Sequence, residues 1–337
     1  MRRIWIKHSL AQHATIAAII CLALFSVSGV QAQSCTASAS PINFGDVRPI
    51  QLSAVDGTGT VTVTCTWPAV TLNRNARICL NLGPGVNSSG SAPRFLTNGS
   101  NAIRFNLFQD AARTNIWGSI YSTTTPNPIT FVLAKPIAGT TASRAITYYG
   151  RVEANQPTIP LVGSTATSYT TAFSGNQSSL NTHFFEIIDR TCPNIQQTAS
   201  TFPFTATARV INDCTISATN LNFPSTGVLK ARLDGTASLS VRCTNGNAYR
   251  VSLNGGSSGS ISARSMQRVG GGGAVRYQLY TSSARSVIWG DGTSGTAAVT
   301  AAGSGLAQTL TIYGSVPAQS TPTPGTYRDT IIATISF

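Results

Sequence analysis

The cysteines are the residues of this chain whose type and spacing first point to a chemistry. There are seven of them, and Cys21 lies in an apolar N-terminal segment. The other six are Cys35, Cys65, Cys79, Cys192, Cys214 and Cys243. Zinc sites use closely spaced Cys and His ligands, but the sequence has no CxxC pair, and His183 is the single histidine after the N-terminal segment. Because an even number of cysteines favours disulfides in an exported chain, we expect disulfides and neither a metal site nor a cofactor.

Side chains for acid–base catalysis are sparse. Hydrolytic enzymes usually place a base beside a nucleophile, or pair two carboxyl groups whose pKa values differ. Of the 10 acidic residues, Asp110, Asp234 and Asp291 lie in turn-like contexts, where Asp commonly bonds its own backbone. His183 lies in a strand-like stretch with no second histidine beside it. We predict that the protein is not an enzyme; hydrolysis of glycan or peptide substrates by the pure protein would support the alternative, a secreted carbohydrate-active or proteolytic enzyme.

The first 32 residues have the pattern of a secretory signal peptide. They contain the basic residues Arg2, Arg3 and Lys7, an apolar core at 14–27, and small residues before a break after Ala32. The apolar core is shorter than the roughly 20 residues that a membrane helix needs. We therefore predict that the chain is exported and that the mature protein begins after Ala32.

The chain is basic, with a formal net charge of +13. Three of its 23 Lys and Arg residues lie in the signal peptide, whereas all 10 acidic residues follow it. A basic surface can attract nucleic acid, anionic lipid or polysaccharide. Because the basic residues are scattered and no nucleic-acid-binding motif organises them, we expect a solvated surface and no nucleic-acid partner.

An internal repeat divides the chain into two related domains. Residues 102–118 and 274–290 align without a gap and are identical at eight of 17 positions. Residues 146–154 are repeated in the same way at 310–318. Repeats of this kind indicate duplicated structural units. The predicted boundaries are a signal peptide at 1–32, an N-terminal domain at 33–197, a linker or donor-like strand at 198–212, and a C-terminal domain at 213–337.

The repeat also indicates how the cysteines pair. Two cysteines are 30 residues apart in the first domain, and two at corresponding positions are 29 residues apart in the second. Six cysteines allow 15 connectivities, so the pairing rests on the repeat and not on spacing alone. The predicted disulfides are Cys35–Cys65, Cys214–Cys243 and, for the two cysteines left over, Cys79–Cys192.

Short strands account for the predicted secondary structure. The segments 60–65, 237–243 and 275–280 are rich in Val, Ile, Thr and Tyr, or alternate apolar with polar residues. Clusters of Gly, Ser and Asn, such as 254–260 and 270–273, end strands and form turns. No segment after the signal peptide has helical periodicity. The pattern predicts an all-β chain with one β-sandwich per domain.

The second domain resembles the spore coat protein U domain family, whose pilin members build Csu-type pili by the archaic chaperone–usher route. The resemblance rests on CTISAT at 214–219, VIWGDG at 287–292 and GTYRDT at 325–330, in this order. The first domain shares PINFG at 41–45 and YYGRV at 148–152, and then diverges. The resemblance implies an incomplete immunoglobulin-like sandwich, a periplasmic pilus chaperone, an outer-membrane usher and an adjacent pilin subunit that donates a strand.

The final strand of the sequence agrees with such an incomplete sandwich. It places Ile331, Ala333, Ile335 and Phe337 on one face, and we expect this face to form the edge of a groove for a donated strand. An uncovered strand edge beside core residues promotes aggregation, which a strand from another chain would prevent. The alternative is that Phe337 ends an ordinary, complete sandwich.

A further strand is predicted between the domains. Phe202, Phe204, Ala206, Ala208 and Val210 lie at alternate positions, as in a strand that buries one face. Pilins of the family donate the corresponding stretch to the preceding subunit. Here the preceding unit is the protein's own first domain. The segment therefore either completes that domain in cis or starts the second domain.

The predicted role is that of an adhesin at the tip of a pilus. Cleavage after Ala32 would leave Gln33 and Ser34 ahead of Cys35, an arm too short to reach a neighbouring subunit at roughly 3.3 Å per residue. A subunit without a donor arm accepts a strand but cannot give one. It would lie at the distal tip, on the cell surface.

Loops of the first domain are the predicted adhesive part. Exposed apolar patches usually mark a binding surface, and related tip adhesins hold abiotic surfaces with apolar loop tips. The residues expected at this surface are Trp67, Pro68, Val70, Ile159, Pro160, Leu161 and Val162. We expect attachment to an abiotic or host surface and biofilm formation; the alternatives are a carbohydrate-binding tip lectin or another secreted coat or structural protein.

Overall fold

The computed structural model describes residues 32–163 and 165–337. The predicted signal peptide, apart from Ala32, lies outside the described residues. The described chain is all-β, which confirms the predicted fold class, and it forms two immunoglobulin-like β-sandwich domains in tandem. Its helical segments are short 3-10 turns at Pro49–Gln51, Gly175–Gln177, Cys192–Asn194 and Gly256–Ser258. Among these residues we find no helix with the length and apolar character to cross a membrane.

The first domain consists of two sheets that face each other across a core. Its strands are β1 (Ser34–Ala39), β2 (Ile42–Val47), β3 (Val55–Thr66), β4 (Asn75–Leu82), β5 (Arg94–Asn98), β6 (Asn101–Phe108), β7 (Ile129–Ala134), β8 (Thr141–Val152), β9 (Ala166–Phe173), β10 (Ser178–Phe185), β11 (Thr198–Thr201) and β12 (Phe204–Ile211). One sheet has the order β1-β3-β8-β6-β5-β9-β12-β2, and the other has the order β11-β10-β4-β7. Val61, Ile78, Phe105 and Trp117 are fully buried in the core between them.

The second domain repeats this architecture with shorter strands. They are β13 (Cys214–Ala218), β14 (Leu233–Cys243), β15 (Ala248–Leu253), β16 (Ser265–Arg268), β17 (Ala274–Arg276), β18 (Gln278–Tyr280), β19 (Val299–Ala302), β20 (Gln308–Val316), β21 (Tyr327–Arg328) and β22 (Ala333–Ser336). The sheets have the orders β13-β14-β20-β18, β19-β15-β22 and β17-β16-β21. A separate core surrounds Val241, Val251 and Trp289.

Strand β3 shows why these segments fold as strands. Val61 and Val63 point into the core and are fully buried, whereas Thr62 and Thr64 on the other face are partly exposed. β-branched side chains pack well on such a half-buried pleated surface. The alternation in the sequence therefore corresponds directly to the two faces of the sheet.

The described residues contain three disulfides, namely Cys35–Cys65, Cys79–Cys192 and Cys214–Cys243. The first joins β1 to β3 and the third joins β13 to β14, each between directly opposed residues whose Cα atoms are 4.0 and 4.1 Å apart. The second joins β4 to the segment after β10, across a sequence separation of 113 residues. These are the three predicted pairs, of which the repeat indicated the first and the third, and the second joins the two cysteines left over. Disulfides of this kind fit an exported protein.

A buried arginine occupies the same place in each domain. The Arg94 guanidinium donates hydrogen bonds to the Oδ1 atom of Asn106 at 2.6 Å and to the carbonyl oxygen of Trp117 at 2.7 Å. Arg264 donates the equivalent bonds in the second domain, to the Oε1 atom of Gln278 at 2.6 Å and to the carbonyl oxygen of the matching tryptophan at 2.8 Å. Burial lowers the pKa of Arg94 to about 9, which leaves the group charged near neutral pH. The internal repeat did not indicate this pair, because the residues around the two arginines differ.

We expect Arg94→Met to destabilise the first domain by about 3 kcal/mol or more, because it leaves several buried oxygen atoms without donors at a cost of about 1–3 kcal/mol each. Arg104→Met is the matched control. Arg104 pairs with Glu153 at the surface, and such pairs contribute about 0–1 kcal/mol. Urea denaturation followed by tryptophan fluorescence measures both variants. Equal losses of stability would contradict the structural role of Arg94.

Candidate functional site

The segment between the two domains forms a strand of the first domain. Strand β12 lies between β9 and β2, antiparallel to β9 and parallel to β2. Phe204 lies opposite Phe173 on β9, and Ala206 lies opposite Ile42 on β2. The sequence left open whether this segment completes the first domain in cis or starts the second domain. In the structure, it completes the first domain.

The inward face of β12 fills a groove in the core. Its buried residues are Phe204, Ala206, Ala208 and Val210. The Phe204 ring stacks on the Phe173 ring with centroids 4.7 Å apart and contacts the Tyr148 ring at 5.4 Å. Burial of large apolar side chains contributes about 1.5–3 kcal/mol each. β12 is therefore part of the first domain's core and not a linker.

The second domain has a corresponding groove. In the first domain, Ile42 packs against Gly150 of β8, so closely that a Cβ atom at Gly150 would lie 2.5 Å from the Ile42 Cδ1 atom. In the second domain, Leu221 packs against Gly314 of β20 in the same way. A Cβ atom at Gly314 would lie 2.7 Å from the Leu221 Cδ1 atom. The segment around Leu221 is thus the counterpart of β2. We call the cavity beside it the open groove and define it by its two walls, residues 218–223 and 327–333.

The open groove is unfilled by the described part of the chain. It has a volume of about 670 Å³, and its floor is formed by apolar residues of β14, β15, β18 and β20. No strand of residues 32–163 or 165–337 lies in it, whereas β12 fills its counterpart. Phe44 beside β12 is 5% exposed, but its counterpart Phe223 is only partly buried. The second domain therefore exposes an apolar surface that the first domain covers.

One wall of the open groove carries a hydrogen-bonded carboxylate. Asp329 accepts a hydrogen bond from the Tyr277 hydroxyl at 2.6 Å and one from the Ser257 backbone N–H at 2.7 Å. Partial burial acts to raise the pKa of Asp329, but the hydrogen bonds from Ser257 and Tyr277 outweigh it and hold the pKa below its usual range. Burial, together with the nearby Asp329, raises the pKa of Tyr277. The Asp329 carboxylate holds this wall to Ser257 and Tyr277 by hydrogen bonds. The rest of the groove surface includes apolar side chains and backbone groups, which can bind a peptide strand.

The expected groove-edge residues lie only partly at the groove. Ile331 and Ala333 line it. Ile335 lies further along β22, opposite Val251, and Phe337 lies beyond the end of that strand and is 50% exposed. The expectation is corrected for Ile335 and Phe337, because neither of them lines the open groove.

Part of the expected adhesive surface is buried. Trp67 is fully buried and packs edge-on against Phe184, with ring centroids 5.9 Å apart. Ile159 and Leu161 are buried as well. The expectation of surface loops was wrong for these three residues, because they belong to the core of the first domain. Among the other expected residues, Pro68 and Pro160 are partly buried, and Val70 and Val162 are exposed.

The segment 157–162 contacts the second domain. The Leu161 backbone N–H donates a hydrogen bond to the Asn245 carbonyl oxygen at 2.8 Å. The Asn245 side-chain amide in turn donates to the Thr158 carbonyl oxygen at 2.8 Å. These hydrogen bonds link the two domains in addition to the chain that connects them. Segment 157–162 is therefore an interdomain contact and not an adhesive loop.

Three loops of the first domain lie together at the end far from the second domain. The Lys135 backbone N–H joins loop 135–140 to loop 67–74 by donating to the Arg74 carbonyl oxygen at 2.7 Å. The Arg74 backbone N–H donates to the Glu186 carboxylate, in the loop after β10, at 3.1 Å. β3 ends and β8 begins at these loops, whereas the opposite ends of both strands lie near the interdomain contact. The loops are therefore about one strand length, roughly 35–40 Å, from that contact.

Each of these loops exposes large aliphatic side chains. The residues are Val70, Leu72, Ile137, Ile187 and Ile188, with exposed fractions between 77% and 98%. We call these five residues the apolar pole. Val70 alone was expected from the sequence. The adjacent isoleucines 187 and 188 interrupt the alternation of apolar and polar residues, and this was the signal that could have identified them.

A cleft with several polar side chains in its lining lies beside the loop after β10. Its volume is about 710 Å³, and its lining includes Arg77, Asn115, Asn127, Asp189 and Arg190. Arg77 forms an ion pair with Asp189 and holds the pKa of that carboxyl below its usual range. Amide and guanidinium groups of this kind can bind the hydroxyl and carboxylate groups of sugars. Within the described residues, no group of three or more His, Cys, Asp or Glu side chains is arranged to hold a metal ion.

Known proteins resemble the chain over both domains. The sequence profile of the Spore Coat Protein U domain matches residues 21–173 and 200–334. Protein U of Myxococcus xanthus is 36% identical over 111 residues, or 31% of this chain, and the match spans 61% of the length of that relative. The crystal structure of the CsuC–CsuE chaperone–tip adhesion subunit pre-assembly complex, from archaic chaperone–usher Csu pili of Acinetobacter baumannii, contains a chain that is 17% identical, with a TM-score of 0.48 over 90% of this chain and 100% of that one. CfaE, the adhesive subunit of the CFA/I fimbria of enterotoxigenic Escherichia coli, is 11% identical, with a TM-score of 0.33 over 88% of this chain and 92% of that one.

Proposed function

Because the chain belongs to the Spore Coat Protein U domain family, we propose that it is a subunit of a chaperone–usher pilus whose second domain accepts a strand from another protein. The contrast between the two grooves carries this proposal. β12 fills the groove of the first domain, whereas no strand of the described residues enters the open groove. The second domain therefore requires a strand from a partner to bury the same surface.

A peptide strand matches the open groove in shape and chemistry. In strand addition, backbone hydrogen bonds supply affinity and alternate side chains fill pockets. Residues 219–223 and 329–332 of its walls lie outside the strands of the second domain, and its floor includes Leu239 and Leu279. The side chains that fill the groove of the first domain are Phe, Ala, Ala and Val at alternate positions, so we expect a donated strand with a similar apolar face.

Two partners would use the open groove in turn. A periplasmic pilus chaperone covers it first, because an exposed strand edge beside apolar side chains promotes aggregation. At the outer-membrane usher, an adjacent pilin subunit then replaces the chaperone with its own strand. This route carries the protein through the periplasm to the cell surface.

In this proposal the subunit occupies the pilus tip. In the part of the chain that the structure describes, the strand of donor type is β12, and it is already used inside the first domain. Every other strand there pairs within its own domain as well. A subunit that accepts a strand and gives none ends the fibre, with its first domain outward.

The apolar pole is the proposed attachment surface. Contiguous apolar patches on exported proteins mark contact sites, since contact removes them from water at about 25 cal/mol per Å². Arg74, Lys135 and Arg190 lie in the same loops and outnumber Glu186 and Asp189 there, so the loops carry a small positive charge, which favours negatively charged materials. Attachment of the pilus to an abiotic or host surface through this pole promotes biofilm formation and requires neither catalysis nor a cofactor.

We expect attachment to polystyrene to fall about 10-fold or more in the triple variant Val70→Ser, Leu72→Ser, Ile137→Ser, because losing about 1.4 kcal/mol of burial changes binding tenfold. The melting temperature should change little, since all three side chains are exposed in the free protein. The matched control removes three exposed aliphatic side chains of the second domain, in the variant Val228→Ser, Val269→Ser, Leu306→Ser. A quartz-crystal microbalance coated with polystyrene measures the attachment of both.

Unchanged attachment in the triple variant would contradict the apolar-pole mechanism. A glycan array then tests the alternative function, a sugar-binding tip lectin, which the amide and guanidinium groups in the cleft beside the loop after β10 favour. A specific glycan whose binding is lost in Asn115→Ala or Asn127→Ala would establish that alternative.

A further inference from the structure

Two strands from the linking segment complete the first domain. Before β12 enters its groove, β11 pairs with the outer edge of β10, with Ser200 opposite Leu180. The Phe202 backbone N–H then donates to the Ser178 carbonyl oxygen at 3.1 Å, where the chain crosses from one sheet to the other. A single segment, residues 198–211, therefore covers both a sheet edge and a groove.

Strand β22 is the counterpart of β10. In the first domain, the indole N–H of the buried tryptophan donates to the Leu80 carbonyl oxygen at 2.9 Å, and Leu80 lies opposite Leu180 on β10. In the second domain, the matching indole donates to the Val251 carbonyl oxygen at 3.0 Å, and Val251 lies opposite Ile335 on β22. The four residues of β22 therefore correspond in order to the first four residues of β10.

The outer edge of β22 is uncovered in residues 32–163 and 165–337. β22 ends the sheet β19-β15-β22, whereas β10 has β11 beyond it. Leu180 is fully buried beside β11, but its counterpart Ile335 is only partly buried. Ser179 is 1% exposed, while its counterpart Thr334 is exposed. The same backbone position is thus covered in one domain and open to solvent in the other.

We propose that the strand donated to this protein is a two-part segment, in which a short strand pairs with the outer edge of β22 and a longer strand then enters the open groove. This inference rests on the proposed function and adds that the docking site spans both sheets of the second domain. The partner carries a segment of the pattern seen at 198–211. That pattern is a short polar stretch, an aromatic residue and a proline at the crossing, and then small or aromatic residues at alternate positions.

The test uses the full-length protein and two synthetic peptides, copies of residues 198–211 and 202–211, which both keep the buried Phe202. The longer peptide should bind about 10-fold or more tightly than the shorter one, because it adds two or more backbone hydrogen bonds. It should also slow hydrogen exchange at the amides of β22. A control peptide of the longer length with Ser200→Pro lacks one of the pairing N–H groups and should bind like the shorter peptide.

Equal affinities, with exchange slowed at the groove walls and unchanged at β22, would overturn the two-part segment and leave the proposed function standing. Fusing each segment behind Phe337 through a flexible linker raises its effective concentration, so a weak peptide still gives a result. Absence of protection at both places in the fused proteins would overturn the proposed function together with this inference.

Discussion

The variant Ala206→Asp should leave the first domain largely unfolded. Ala206 is fully buried on the inward face of β12, so the change puts an unpaired carboxylate into an apolar groove at a cost of several kcal/mol. Whole domains are stable by only about 5–15 kcal/mol.

Phe204→Ala acts through a different mechanism, the loss of packing on Phe173, and should lower the stability of the first domain by about 3–5 kcal/mol.

Thr205→Asp is the matched control for Ala206→Asp. Thr205 is the next residue on the same strand and is exposed, so the substitution should change stability by about 0.5 kcal/mol or less. Limited proteolysis and urea denaturation of the full chain measure both variants. Native stability of Ala206→Asp would contradict completion of the first domain by β12.

A strand supplied to the open groove should raise the melting temperature of the second domain by about 10 °C or more. Filling the groove buries several apolar side chains at about 1.5–3 kcal/mol each, and for a domain of this size 1 kcal/mol corresponds to roughly 3–5 °C. A fusion that carries a second copy of residues 202–211 behind Phe337 and a flexible linker provides the strand. Differential scanning calorimetry measures the shift.

The same fusion should remove the need for a chaperone. In periplasmic expression, the cognate chaperone should raise the soluble yield of the unfused protein about tenfold, a gain of about 1.4 kcal/mol or more in effective stability, and leave the fused protein unchanged. A fused copy with aspartate in place of both Ala206 and Ala208 is the control and should behave like the unfused protein. Equal melting temperatures and equal yields in all cases would show that the second domain is complete without a partner strand.

The alternation at 202–210 specified which side chains of this strand are buried, but not which domain the strand joins. It predicted a strand with one buried face, and Phe204, Ala206, Ala208 and Val210 are buried in β12. It left open whether that face belongs to the first or the second domain. Period-two alternation specifies which side chains are buried, but the neighbouring strands β9 and β2 come from distant parts of the sequence.

The loops show the opposite case, in which the local pattern misled. Trp67 and Val70 are three residues apart in one apolar stretch, yet Trp67 is fully buried and Val70 is 92% exposed. Both belong to a connection between strands, where no periodicity distinguishes inside from outside. Trp67 is covered by residues distant in sequence, among them Phe184 of β10, whose ring packs edge-on against it.

Three properties follow from the amino-acid sequence by itself: the all-β class, the duplication, and the disulfide pairs that the duplication relates. Each of them depends on residue types that repeat along the chain, so it can be recognised without knowing which segments touch. Only the tertiary structure decided that β12 completes the first domain, that the apolar pole includes Ile137 and Ile187, and that Arg94 and Arg264 are equivalent. The physical reason is that burial and hydrogen bonding are set by contacts between segments far apart in sequence, and a single sequence contains no direct record of those contacts.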